Sequence, residues 1–101
     1  MAATVRFLRL ARNELEAANR RYVRQDPRRA QRFADAVSHA LQHIADNPYL
    51  WPVYQGPFRW IQARRFPYIL YYRIFDPDIV LIYAVAHASR RPGYWRRRRP
   101  P

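Results

Sequence analysis

Apolar positions change their period twice along this chain. Val5 and Phe7 alternate with Thr4 and Arg6, the two-residue repeat of a short strand. From Leu8 the spacing lengthens. Leu8, Ala11, Leu15, Ala18 and Tyr22 fall at i, i+3, i+7, i+10 and i+14, one stripe of an amphipathic helix. Glu14 and Glu16 come early in that helix and Arg20, Arg21 and Arg24 late, the order that suits the helix dipole. "QDPRR" interrupts the stripe and restarts it. Asp26 reads as an N-cap with Pro27 at the first helical position, where a missing N–H costs nothing. Ala30, Phe33, Val37, Ala40, Leu41 and Ile44 repeat the stripe until Asp46-Asn47-Pro48 ends it. Two amphipathic helices with so short a link predict an antiparallel hairpin.

"NPYLWPVYQGP" (47–57) carries three prolines and a glycine and is irregular, with Tyr49, Trp51 and Tyr54 expected to fold back onto the helices. "FRWIQARRF" then alternates loosely, and "YILYYRIF" (68–75) is β-branched and aromatic. Asp76-Pro77-Asp78 supplies a turn. "IVLIYAVA" (79–86) is apolar on both faces, as a central strand would be. The predicted fold is α+β in the order β-α-α-β-β-β. An N-terminal strand and an antiparallel helix hairpin precede an antiparallel three-strand meander, in one sheet with the helices on one face. We assign a single domain to residues 1–95 and a basic, flexible tail to residues 96–101.

Composition narrows the class. The chain has 101 residues, enough for one core, and half of them are apolar, so disorder is not expected. No run approaches the roughly 20 apolar residues of a membrane span, so no membrane association is expected. The start lacks the continuous apolar segment of a secretory signal. The absence of cysteine removes disulfides and thiolate metal sites and fits a cytoplasmic location.

Charge changes the picture most. Nineteen cationic residues, all arginine, stand against seven acids and give +12. A GC-rich genome explains arginine in place of lysine, but not so large a surplus. Guanidinium groups fit phosphates and carboxylates in a planar fork, so the partner is anionic: nucleic acid or an acidic protein segment.

The candidate chemistry clusters late. His39 and His43 have the i, i+4 spacing of a helical metal pair, but they oppose the apolar stripe and lack a third ligand, so no metal is expected. Arg59, Arg64, Arg65 and Arg73 come from neighbouring strands. The end of the last strand, with His87, Arg90 and Arg91, is expected to approach some of them in a cationic patch able to hold a phosphate. The alternative is a solvated rim. His87 is either a general acid or base or a hydrogen-bonded histidine at a strand end. Tyr94 and Trp95 are either a catalytic acid and a stacking platform or the aromatic lid that closes the sheet edge. No recognition helix for DNA is visible.

"ARNELEAANRRYV", "FADAVSHALQHIADNPYLWP" and "RRFPYILYYRIFDPDIVLIYAVAHASRRPGYW" together resemble the RelE/ParE superfamily of bacterial type II toxins. The resemblance covers roughly residues 4–95 and is most specific in "RFPYILYYRI" and "AVAHASRRPGYW". It implies the same β-α-α-β-β-β fold and a cognate antitoxin bound in a hetero-oligomer. The ParE-like branch implies inhibition of DNA gyrase without chemistry of its own, and is favoured. The RelE-like branch implies an endoribonuclease acting on messenger RNA in the ribosome, with Arg73 and Arg90 on phosphate and His87 or Tyr94 moving protons. Against it, Ile69 stands where RelE-like members carry a third-strand arginine. Arg59, Arg64, Arg65 and Arg91 are the expected target or nucleic-acid contacts. Tyr22, Trp51 and Trp60 are the expected antitoxin contacts. No cofactor is implied.

Overall fold

The computed structural model describes residues 2–75 and 78–101. The expected turn at Asp76-Pro77-Asp78 thus lies outside the described residues except for Asp78. Strand β1 (Thr4–Phe7) leads into helix α1 (Arg9–Gln25), helix α2 (Pro27–Asp46), and strands β2 (Phe58–Gln62), β3 (Tyr68–Phe75) and β4 (Ile79–His87). The α2 start follows from its sequence: Pro27 opens the helix, and the Asp26 carboxylate accepts the Arg28 N–H at 3.0 Å.

The strands form one sheet in the order β1-β4-β3-β2. The meander β2-β3-β4 is antiparallel, whereas β1 lies parallel to β4 and pairs only with Ile79–Ile82. Tyr71 pairs with Ala84 and Tyr72 with Ile82, so Tyr83 is an extra residue bulged out of β4. Beyond Ile82 the outer edge of β4 has no strand partner among the described residues. Glu14 of α1 accepts the Val85 N–H at 3.1 Å, and Arg98 donates to the Tyr83 carbonyl at 2.9 Å. Side chains thus satisfy an edge that would otherwise leave half-buried backbone groups unpaired.

Two aromatic clusters sandwich the sheet. On the helix side, Tyr22, Phe33, Phe66 and Tyr68 meet with ring centroids 4.9–6.1 Å apart. Tyr71 points to the opposite face from Tyr68, since strand side chains alternate. There Trp95 stacks on Tyr71 at 4.5 Å and meets Phe58 edge-on at 4.8 Å. Tyr54 and Tyr83 complete that cluster. The aromatic lid therefore covers the sheet face away from the helices, with Trp95 only 1% exposed. Of the three loop aromatics expected on the helices, Trp51 donates to the His43 carbonyl of α2 at 3.3 Å. Tyr54 packs instead with Tyr71 and Trp95 on the far face, and Tyr49 is 63% exposed with the Arg59 guanidinium 5.7 Å over its ring.

Candidate functional site

The register of the meander decides which arginines can meet His87. His87 pairs with Tyr68 at the start of β3, next to the turn that carries Arg64 and Arg65. Arg73 pairs with Leu81 and with Phe58, and Arg59 with Tyr72. At about 3.3 Å per residue, Arg73 lies roughly 17 Å and Arg59 roughly 13 Å down the sheet from His87. The single cationic margin expected from the sequence is divided, because the end of β4 lies beside the start of β3 and the end of β2, whereas Arg59 and Arg73 sit at the opposite ends of those strands.

Each of the displaced arginines is engaged elsewhere. Arg59 donates from Nη1 to the carbonyls of Trp51 at 2.7 Å and Tyr49 at 3.1 Å, clamping the loop after α2 onto β2. The Arg73 guanidinium lies 4.7 Å over the Phe75 ring, and that of Arg90 lies 4.0 Å over Tyr94. Arg91 borders an open depression of about 570 Å³ formed with Gly93, Tyr94, Arg96 and Arg97. The His87 ring is set edge-on to Tyr68 at 5.2 Å. Its Nδ1 accepts the Ser89 N–H at 3.0 Å and lies 2.7 Å from the Ser89 hydroxyl. A backbone N–H can only donate, so in this arrangement the ring proton sits on Nε2.

Tyr94 is the most strongly perturbed phenol. Its hydroxyl donates to Glu14 Oε2, while Arg98 grips both oxygens of the same carboxylate, Nη1 to Oε1 at 2.8 Å and Nη2 to Oε2 at 3.1 Å. Burial raises the Tyr94 pKa furthest, the hydrogen bond and the negative charge of Glu14 add to the rise, and Arg90 and Arg98 offset part of it. A phenol held in its neutral form so firmly is ill-matched to proton transfer near neutral pH. Arg98, which the sequence reading assigned to the tail beyond the domain, forms this clamp. Neither it nor Glu14 stood out in the sequence, because Glu14 looks like any acid in the first half of a helix.

Arg64 and Arg65 have company that the sequence reading missed. With Arg29, Arg32, Asp35 and His39 of α2 they line an open depression of about 500 Å³. A signal existed: Arg28 and Arg29 occupy the first turn of α2, where the helix dipole disfavours cations. The three expected antitoxin contacts do not share one surface. Tyr22 is buried among Phe33, Phe66 and Tyr68, whereas Trp51 and Trp60 are half-buried on adjoining segments. An apolar groove of about 320 Å³ does lie between the helices, lined by Leu15, Phe33, Val37 and Leu41. Among the described residues no three potential metal ligands come together, and no helix is long and apolar enough to cross a membrane.

Residues 5–92 match the profile of the ParE toxin of the type II toxin–antitoxin system parDE. The fold resembles that of a chain in a solved structure of the chromosomal ParDE TA system from P. aeruginosa, with a TM-score of 0.72 and 16% identity over 85% of this chain and 96% of that one. No curated protein matches the sequence.

Proposed function

Because the chain belongs to the ParE toxin family of type II toxin–antitoxin systems, we propose that it inhibits DNA gyrase and is silenced by a cognate antitoxin, both met in the cytoplasm. The observation that carries this reading over messenger-RNA cleavage is the separation of Arg73 from the other three residues a nuclease would need, together with the engagement of Tyr94. Arg73 lies at the far end of β3 from His87, Arg90 is stacked on Tyr94, and Tyr94 is tied to Glu14. A general acid must be free to reach the reacting phosphate, and a Tyr94 hydroxyl committed to the Glu14 carboxylate speaks against that role. The protein then works by binding rather than by chemistry of its own.

The groove between the helices supports the antitoxin half of the proposal. Leu15, Phe33, Val37 and Leu41 offer an apolar channel suited to an amphipathic helix. An acidic antitoxin would be drawn to a chain of net charge +12, with an association rate that falls as salt is raised.

The decisive experiment adds purified toxin to gyrase and supercoiled DNA, and separately to translating ribosomes with labelled message. Gyrase-dependent DNA breaks without message cleavage are expected. His87→Ala should remain fully toxic, and A-site cuts that vanish in this variant would overturn the proposal in favour of the nuclease.

A further inference from the structure

We propose that the depression between α2 and the β2–β3 turn is a phosphate clamp for the backbone of double-stranded DNA, built from Arg29, Arg32, Arg64 and Arg65. Four guanidinium groups face a single carboxylate there, Asp35, whose Oδ1 is bonded to the Gln31 amide at 3.0 Å. Among the described residues the one salt bridge of the chain is Arg98–Glu14, so no ion pair neutralises the four arginines. Fork-shaped donors in such number match phosphate oxygens.

Local structure presents these cations at some cost. The Phe66 N–H closes a turn onto the Ala63 carbonyl at 3.0 Å, with Arg65 at its third position and φ of 70°. Glycine or asparagine is favoured at that position, and another residue costs about 1 kcal/mol or more. Arg29 sits in the first turn of α2 against the helix dipole, fixed 5.4 Å over the Tyr22 ring and 5.9 Å over Phe66. Both departures from local preference bring a guanidinium to the same hollow.

The choice of duplex over other anions follows from what the site lacks. Proteins that hold single strands stack bases on exposed aromatic faces. Here Tyr22 and Phe66 are each only 7% exposed and lie beneath Arg29. An acidic helix would need apolar sockets, and Phe66 is buried. What remains is a cationic surface without a base-reading element, suited to the dense charge of a duplex backbone.

The test is fluorescence anisotropy of the full-length chain with a labelled duplex of about 20 base pairs and with the matching single strand, at several salt concentrations. We compare Arg32→Gln/Arg64→Gln with Arg6→Gln/Arg9→Gln, which removes equal charge roughly 25 Å away near the start of α1. All four arginines are exposed, so thermal midpoints should match the wild type. Duplex affinity should fall about tenfold in the first variant, with the salt slope reduced by about two, and change less than about twofold in the second. Arg64→Gln/Arg65→Gln must show a comparable loss. Equal losses in patch and control variants would reduce the effect to net charge and overturn the site. Single strand bound as tightly as duplex, or a duplex displaced from the wild type and patch variants alike by an acidic peptide, would overturn the assignment to DNA. No topoisomerase is present, so failure here leaves the gyrase proposal untouched.

Discussion

Arg98 holds Glu14 in a two-pronged grip from 84 residues further along the chain, and Tyr94 donates to the same carboxylate. With the Val85 N–H as a further donor, one acid fastens α1, β4 and the C-terminal segment together. Glu14→Gln keeps the shape but removes the charge, leaving the half-buried Arg98 without its counter-ion. We expect a loss of about 2–3 kcal/mol in urea unfolding. A double-mutant cycle with Arg98→Ala should reveal strong coupling, and simple additivity would contradict the clamp.

Alkaline stability follows from the same region. Tyr94, Tyr68 and Tyr71 have pKa values raised chiefly by burial, and Tyr72, whose hydroxyl donates to the Pro48 carbonyl at 2.6 Å, is pushed up to about 12. Unfolded tyrosines titrate near 10. A folded pKa above the unfolded one gives stability that is complete below about pH 10 and is lost as pH climbs through the folded values. The melting temperature should therefore hold up to about pH 9.5 and then fall. Tyr94→Phe should lower it at neutral pH and make the alkaline decline shallower, and an unchanged slope would exclude Tyr94 as a contributor.

Trp95 anchors the face of the sheet that the helices leave uncovered. Trp95→Ala deletes a ring that is 1% exposed and in contact with Tyr54, Phe58, Tyr71 and Tyr83. The expected cost is about 3–5 kcal/mol, measured by denaturant midpoint. Trp95→Phe should recover part of it. A loss below about 1 kcal/mol would mean that the C-terminal segment is not part of the folded unit.

The N-cap of α2 offers a smaller and cleaner measurement. Asp26→Ala removes the acceptor of the Arg28 N–H and should cost about 0.5–2 kcal/mol.

Much of the fold was legible because it is encoded locally. Periodicity placed both helices and all four strands, and Asp26-Pro27 marked a helix start that the structure reproduces. The parallel pairing of β1 with β4 was not legible, since it depends on which edge of the meander is free once the helices have packed. The candidate site was readable only in part. The adjacency of His87 to the Arg64-Arg65 turn follows from the meander, but the same meander carries Arg59 and Arg73 away. Glu14 and Arg98 could not be matched in advance. Neither has a local partner, and their meeting depends on how the last ten residues wrap around the edge of β4.

The bulged strand β4 is also the last one to be synthesised. Thr4–Phe7 has no strand to pair with until Ile79–Ile82 exists, and Glu14 lacks its Arg98 guanidinium until that residue has been added. Pairings between opposite ends of a chain form late. A copy abandoned mid-translation therefore lacks the residues that complete the sheet and close the Glu14 clamp.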